Sequence, residues 1–140
     1  MKTFILALAT IFILGSASGF SQSTATSIEV NIKNIKSDKG TLRIGLYQKQ
    51  ENFLGEAFKS LDIKANSKGV TVTFENIEPG EYAISLYHDK DDNEKLNTFL
   101  KMPTEPYGTS NNAKGQFGPP KWADAKFTVS DQKVVQTIKL

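Results

Sequence analysis

The feature that most constrains the fold of this chain is an alternation of apolar and polar residues with a period of two. Residues 27–35, with the sequence SIEVNIKNI, place Ile28, Val30 and Ile32 on one side of an extended chain. The segments 41–47 and 70–77 repeat the pattern. Alternation of this kind is typical of strands that have one face on a core and the other face in water.

Seven segments carry strand patterns, and turn residues separate them. Clusters of Gly, Pro, Asn and Asp interrupt the chain at regular intervals, and we interpret SDKG at 37–40 as a short hairpin-like turn between the first two strands. The sequence therefore predicts an all-β fold, a seven-stranded immunoglobulin-like or transthyretin-like sandwich. The predicted strands are 27–35, 41–47, 58–63, 70–77, 82–88, 125–130 and 133–140.

One long segment after the fifth strand, about 89–123, lacks sustained alternation. Loops of this length inside a compact domain are usually functional or disordered. The segment carries Phe99, Tyr107, Phe117 and Trp122, and aromatic residues at that density tend to fold onto a domain. We therefore expect a long ordered insertion.

The N-terminus has the order of a secretory signal peptide. Lys2 precedes an apolar run, FILALATIFIL at 4–14, and small residues follow it. The run is shorter than the roughly 20 residues that a membrane-spanning helix needs, which argues against a retained anchor. We expect a signal peptide at 1–21, with Ser18 and Ser21 as alternative cleavage positions, and a single β-sandwich domain at 22–140. We also expect a secreted or periplasmic location and no membrane span after cleavage.

Composition excludes several function classes. There is no cysteine, so disulfides and thiolate chemistry are excluded. Seventeen basic residues are scattered among fifteen acidic ones, and they form no basic stripe of the kind that nucleic acid requires. We expect a monomer that does not bind nucleic acid.

The stretch HDKDDNEKLN, 88–97, contains a candidate metal loop. Asp89, Asp91, Asn93 and Asn97 occupy positions at which side-chain oxygens wrap a calcium ion. Glu94 replaces the usual glycine of such loops. Asp and Asn also stabilise turns by bonding their own backbone. Calcium is therefore a candidate cofactor, and we favour the alternative in which these side chains bind their own turn.

His88, the only histidine, ends the fifth strand on the same face as Leu86. One interpretation makes it a ligand-binding or acid–base group at the mouth of the loop. The interpretation that we favour is a histidine that packs over the rim of the core and bonds a loop carbonyl. No serine lies in a Gly-x-Ser-x-Gly elbow, so nucleophilic catalysis is not expected.

The stretch 102–125 supplies candidate ligand-binding residues. Three aromatic residues and two amides have the chemistry of a platform for a sugar or peptide: Tyr107, Phe117, Trp122, Asn111 and Asn112. Glu105 is a further candidate, either for the ligand or as a carboxylate for the metal loop. The alternative that we favour is that the aromatic residues form a small core of the insertion itself.

These two stretches resemble a known family. PGEYAISLYHDKDDNEKLN and MPTEPYGTSNNAKGQFGPPKWADAKF are similar to the bacterial exported family catalogued as domain of unknown function 2141. The resemblance covers nearly the whole mature chain and implies an exported β-sandwich with no established activity. The family loop tends to have glycine and aspartate where this chain has Glu94 and Asn97.

Three functions remain open at this point. The first is a non-enzymatic binding or surface-associated module, whose partner is an unknown small molecule, a glycan or an envelope protein. The second is a hydrolase that acts on envelope polysaccharide or peptide through loop carboxylates. The third is a purely structural domain in which the insertion caps the sandwich.

Overall fold

The structure of the protein is a computed structural model that describes residues 25–140. The predicted signal peptide, 1–21, lies outside these residues. The described range contains ten strands: β1 Thr26–Lys33, β2 Thr41–Tyr47, β3 Lys59–Lys64, β4 Val70–Ile77, β5 Gly80–Asp89, β6 Thr98–Phe99, β7 Met102–Pro103, β8 Tyr107–Thr109, β9 Phe127–Val129 and β10 Val134–Lys139. Its helical elements are two 3₁₀ turns, Gln50–Asn52 and Ser110–Asn112, and a four-residue α-helix, α1, Trp122–Ala125.

The main strands form two sheets. The first has the order β10–β1–β4, in which β1 pairs with β10 in parallel and with β4 in antiparallel orientation. The second has the order β3–β2–β5–β8, and β9 also pairs with β5. β6 and β7 form a separate two-stranded hairpin. The all-β prediction is therefore confirmed, although three short strands of the insertion bring the described number to ten rather than seven.

The hydrophobic core is built from the alternating residues of both sheets. Ile28, Val30 and Ile32 of β1 are buried, as the pattern predicts. Leu42 of β2 and Leu86 of β5 belong to the same cluster from the other sheet. At about 25 cal/mol per Å² of apolar surface removed from water, this burial is the main stabilising term of the fold.

The connection between β1 and β2 corrects one prediction. The sequence predicts a hairpin-like turn at 37–40, but β1 and β2 pair with other strands and lie in different sheets. The connection therefore passes from one sheet to the other, and Ile35 within it is buried. Gly40, at a φ of 78°, lies so close to the backbone of Asp89 and Lys90 that a Cβ there would clash with them. A pattern of turn residues marks the end of a strand, whereas the partner of that strand depends on distant contacts.

The two ends of β5 have different partners on one edge. Residues 80–82 pair with β9, and residues 85–87 pair with β8. Ile84 lies between them, and its backbone N–H donates to the hydroxyl oxygen of the buried Ser110 at 2.9 Å. Ser110 thereby fills the gap where the edge changes partner.

The insertion is ordered and partly folded as strands. It contains β6, β7 and β8, the second 3₁₀ turn and the start of α1. It lies beside the end of β5, which carries the candidate metal loop. None of the helices described within 25–140 is long and apolar enough to cross a membrane.

Candidate functional site

Asp89 is a fully buried carboxylate at the end of β5. Its Oδ2 accepts a hydrogen bond from Nε of Arg43 at 2.7 Å and another from the backbone N–H of Glu94 at 2.9 Å. Its Oδ1 accepts from the backbone N–H of Asn93 at 3.1 Å. Both oxygens therefore accept from the turn that follows the strand, and Oδ2 also accepts from the guanidinium group of Arg43 on the neighbouring strand β2.

These contacts set the charge state of Asp89. Burial by itself would raise the pKa of this carboxyl group, because a charge is costly to remove from water. The hydrogen bonds from Arg43, Glu94 and Asn93 outweigh that effect and hold the pKa of Asp89 below its usual value. Asp89 is therefore a structural anion at neutral pH.

The remaining polar residues of the loop form a network with one another. Nδ2 of Asn93 donates to Oδ2 of Asp91 at 3.0 Å and to Oδ1 of Asn97 at 2.7 Å. Nδ2 of Asn97 also donates to Oδ2 of Asp91 at 3.0 Å. Oδ1 of Asn93 accepts from the backbone N–H of Lys95. The side chains predicted as metal ligands thus satisfy each other and their own backbone.

Glu105 connects the two ends of this loop. Its Oε1 accepts from the backbone N–H of Lys90 at 2.9 Å, and its Oε2 accepts from that of Asn97 at 3.0 Å. The residue is 7% exposed. The sequence makes Glu105 a candidate distant carboxylate for the loop, and in the structure both of its oxygens contact that loop.

The same carboxylates have the spacing of a cation site. Asp89, Asp91 and Glu105 each offer an oxygen, and these atoms lie within 4.8 Å of one another. Hard cations bind such oxygen ligands. Asp89 and Glu105, however, already accept backbone N–H groups on both of their oxygens. A cation at this point would compete with the hydrogen bonds that shape the loop.

His88 lies between the two sheets, fully buried. Its Nε2 is 2.7 Å from the backbone oxygen of Lys39, so this nitrogen carries the proton and donates it. Among the described residues no partner lies within hydrogen-bond distance of Nδ1. The arrangement matches the interpretation of a rim histidine that bonds a loop carbonyl, and it ties the 34–40 connection to β5.

Asn111 and Asn112 lie against the edge of the first sheet. Nδ2 of Asn112 donates to the backbone oxygen of Thr137 at 2.9 Å, and its Oδ1 accepts from the N–H of Lys139 at 2.9 Å. Nδ2 of Asn111 donates to the backbone oxygens of Asp124 and Lys126. The two amides thereby hold the insertion to β10 and to α1.

The three aromatic residues of the predicted platform lie in different surroundings. Trp122 is half-buried, and its ring meets that of Phe53 edge-on at 5.7 Å. Tyr107 is 37% exposed on β8, whereas Phe117 is fully exposed at the tip of its loop. Tyr107 lines a cleft of about 600 Å³, and Phe117 lines another cavity, of about 470 Å³. The ligand-binding roles that the sequence suggests for the aromatic residues, for the two asparagines and for His88 and Glu105 stay predictions.

A cleft of about 600 Å³ lies between the insertion and the outer face of the second sheet. Small and aromatic side chains of the sheet line it, among them Tyr47, Ser85 and Tyr87. The insertion provides an apolar wall. That wall includes Leu96, Met102, Pro103, Tyr107, Pro119 and Pro120. The volume is within the range of about 300–1,000 Å³ that small-molecule sites usually have.

A second cavity, of about 360 Å³, adjoins the cleft. It shares Tyr47, Gly55, Ser85 and Tyr87 with the cleft, and its other lining residues include charged ones. Arg43 lies there in ion pairs with Asp62 at 2.7 Å and with the buried Asp89 at 2.7 Å. The cleft and this cavity together form one groove over the second sheet. The groove is apolar at the end of the cleft and carries both signs of charge at the end of the cavity.

This groove is not predicted from the sequence. The residues of the sheet that line it occupy outward positions of β2 and β5, whose inward residues form the core: Arg43, Tyr47, Ser85 and Tyr87. The available signal was an arginine, a glycine and a tyrosine at the outward positions of RIGLY, 43–47, together with the outward Tyr87 of the fifth strand. Alternation does not say whether an outward face meets water or an insertion.

Comparisons with known proteins give one family. The family described as "uncharacterized protein conserved in bacteria (DUF2141)" matches residues 30–137, most of the chain. Neither the curated proteins nor the solved structures give a match. The chain therefore belongs to this bacterial family, as the resemblance noted in its sequence indicated.

Proposed function

We propose that the protein is an exported, non-enzymatic binding module that takes an amphiphilic small molecule into the groove over its second sheet. The observation that carries this proposal is the cleft of about 600 Å³ with its apolar wall and its charged continuation. An apolar cleft with a few converging polar groups is the usual form of a small-molecule site.

The ligand class follows from the lining. The apolar wall around Met102 and Pro103 suits a hydrocarbon or ring body. Arg43, Asp62 and Glu94 at the other end offer donors and acceptors of both charges. Since Arg43 is already in ion pairs with three carboxylates, those of Asp62, Asp89 and Glu94, a hydroxyl-rich or zwitterionic head suits this end better than a simple anion.

The positions of the titratable groups support binding rather than hydrolysis. The residues that line the cleft of about 600 Å³ include no histidine, aspartate or glutamate. The carboxylates of the adjoining cavity, Asp62 and Glu94, both lie in ion pairs with Arg43, at 2.7 Å and 3.9 Å. Asp89 and Glu105, the buried loop carboxylates, are bonded to backbone N–H groups. General acid–base catalysis needs a titratable group that is available within reach of the substrate.

Export is supported by the signal-like residues 1–21, and the packing of the two sheets supports an immunoglobulin-like or transthyretin-like sandwich.

A variant that fills the cleft tests the proposal. Ser85→Phe places a ring on the floor of the groove, where Ser85 stands opposite Gly45 of β2 and Thr109 of β8. The probe is a fluorescently labelled alkylphosphocholine, an amphiphile with a zwitterionic head, kept below its micellar concentration. We expect Ser85→Phe to bind it with about tenfold lower affinity than the parent protein, which corresponds to about 1.4 kcal/mol.

The matched control is Thr73→Phe on β4, in the other sheet, at a position that lines none of the described cavities of the groove. It should bind the probe as the parent protein does. Equal binding by the parent and by a folded Ser85→Phe variant would contradict the proposal.

A further inference from the structure

Two loop tips of the insertion expose large apolar side chains. At the β6–β7 hairpin, Phe99 is 70% exposed, Leu100 82% and Met102 71%. On the loop that precedes α1, Phe117 is exposed over its whole side chain. Single exposed apolar residues are common on protein surfaces, but a group of four on two tips suggests an interaction site.

The backbone of the hairpin is shaped to present its tip. Leu100 and Lys101, the two residues between β6 and β7, have positive φ angles of 49° and 64°. Two-residue hairpin turns of this kind favour Asn and Gly, because other residues are strained there. The chain nevertheless has a leucine and a lysine in this turn. We infer that these side chains, rather than an unstrained backbone, are what the turn provides at the surface.

The loop of Phe117 is equally constrained. Gly115 lies so close to the carbonyl groups of Gly118 and Pro119 that a Cβ at this position would clash with them. Gly118 has a φ of 140°. The tight turn between these glycines holds Phe117 at its outer end.

Both tips border the same cleft. Met102 and Lys101 of the hairpin line it on one side, and Gln116 and Gly118, the neighbours of Phe117, line it as well. Of the four apolar side chains, Met102 therefore lines the cleft, and the other three belong to chain neighbours of residues that line it. At roughly 150–250 Å² for a full aromatic side chain, the exposed apolar area is on the order of 600 Å².

The charge around the tips is positive. Lys101 lies in the hairpin turn, and Lys114 and Lys121 line the cavity beside Phe117, where Asp124 is the acidic lining residue. Two copies of the chain that met through these tips would bring six lysines together, which disfavours self-association. An anionic surface complements the tips in charge.

We propose that these two tips insert their apolar side chains into an anionic lipid surface, with the lysines at the level of the headgroups. Apolar residues flanked by lysine are the usual composition of interfacial membrane contacts. A stable protein partner usually covers about 800 Å² with a matched surface, whereas two separate convex tips fit a fluid interface better. The mouth of the groove then lies at the membrane surface.

Vesicle flotation tests the proposal on the chain from residue 22 onward. This form omits the apolar run at 4–14, which would itself bind lipid, and it retains the core, whose residues span Ile28 to Ile138. We expect it to float with vesicles of phosphatidylcholine and phosphatidylglycerol, more weakly with phosphatidylcholine alone, and less as the salt concentration rises.

The decisive variant combines Phe99→Ser, Leu100→Ser and Phe117→Ser. We expect its partition coefficient to fall by about tenfold or more, because three apolar side chains no longer leave water. Lys101→Glu should weaken binding to the anionic vesicles with little effect on the neutral ones. The control is Phe58→Ser with Val135→Ser, which removes two exposed apolar side chains, 49% and 52% exposed, that do not line the cleft.

Three outcomes would overturn the proposal: no flotation of the parent chain with either vesicle, equal flotation of the folded tip variant, or a concentration-dependent dimer in sedimentation that the tip variant abolishes. Circular dichroism verifies that each variant is folded. The proposal is independent of ligand binding in the groove. Ser85→Phe should therefore still float with anionic vesicles, and the tip variant should still bind the fluorescent probe.

Discussion

At the scale of single residues, the contacts of Asp89 show what the sequence does and does not predict. The spacing of Asp89, Asp91 and Asn93 indicates two alternatives: their oxygens bind a cation, or they accept hydrogen bonds from the backbone of their own turn. The preferred answer, the backbone, agrees with the hydrogen bonds from Asn93 and Glu94. Arg43 could not be found in the same way, because it lies 46 residues earlier in the sequence and only the pairing of β2 with β5 brings it to Asp89.

Asp89→Asn is expected to destabilise the protein at neutral pH. The variant loses charged hydrogen bonds to Arg43 and to the loop, and we expect the free energy of unfolding in urea to fall by about 2 kcal/mol. Asp92→Asn, an exposed neighbour that pairs with Lys64 at 3.4 Å, is the matched control and should change stability little.

The effect of Asp89 has a defined pH dependence. Because the pKa of Asp89 is lowered in the folded protein, its contribution is fully present above the ordinary aspartate pKa of about 3.9 and is lost as the pH falls through the folded value. The difference between the parent protein and Asp89→Asn should therefore shrink below about pH 4. A difference that stays constant from neutral to strongly acidic pH would contradict this role.

At the scale of elements, the strands were predictable and their partners were not. Alternation located the segments that became β1, β2, β4 and β5 because each has one face on the core. It could not show that β1 and β2 lie in different sheets, since pairing depends on contacts far apart in sequence. The short strands β6 to β8 were missed because two or three residues are too few to display a period.

The loop from Asp89 to Glu105 is expected to keep its shape without a cation. Its carboxylates already accept backbone N–H groups from Lys90, Asn93, Glu94 and Asn97. We therefore expect the melting temperature to be the same in calcium and in a chelator. Asp91→Asn is the informative variant. Asp91 belongs to the acidic cluster, but it is exposed, and its substitution removes no contact to Arg43.

A lower melting temperature in chelator, together with loss of that response in Asp91→Asn, would show that the loop binds a cation. The hydrogen bonds described above would then belong to the ion-free form of the loop.

At the scale of the whole molecule, the insertion turns one face of a sandwich into a groove. Alternation predicts that outward residues of a half-buried sheet meet water. Here Tyr47, Ser85 and Tyr87 instead face a wall made by the insertion, with Met102 and Pro103 on its far side. The sequence indicated that the insertion is ordered and aromatic, but the surface that it covers depends on β8 pairing with β5, which three residues are too few to reveal.

The central claim, that this groove is the binding site, is tested most directly by nuclear magnetic resonance. Dodecylphosphocholine, kept below its micellar concentration, supplies an amphiphile with a zwitterionic head. We expect saturable shifts of the backbone amides of Ser85, Tyr87 and Tyr107, with those of β10, β1 and β4 unchanged, and loss of these shifts in Ser85→Phe. Shifts spread evenly over both sheets, or confined to the loop tips, would contradict the claim.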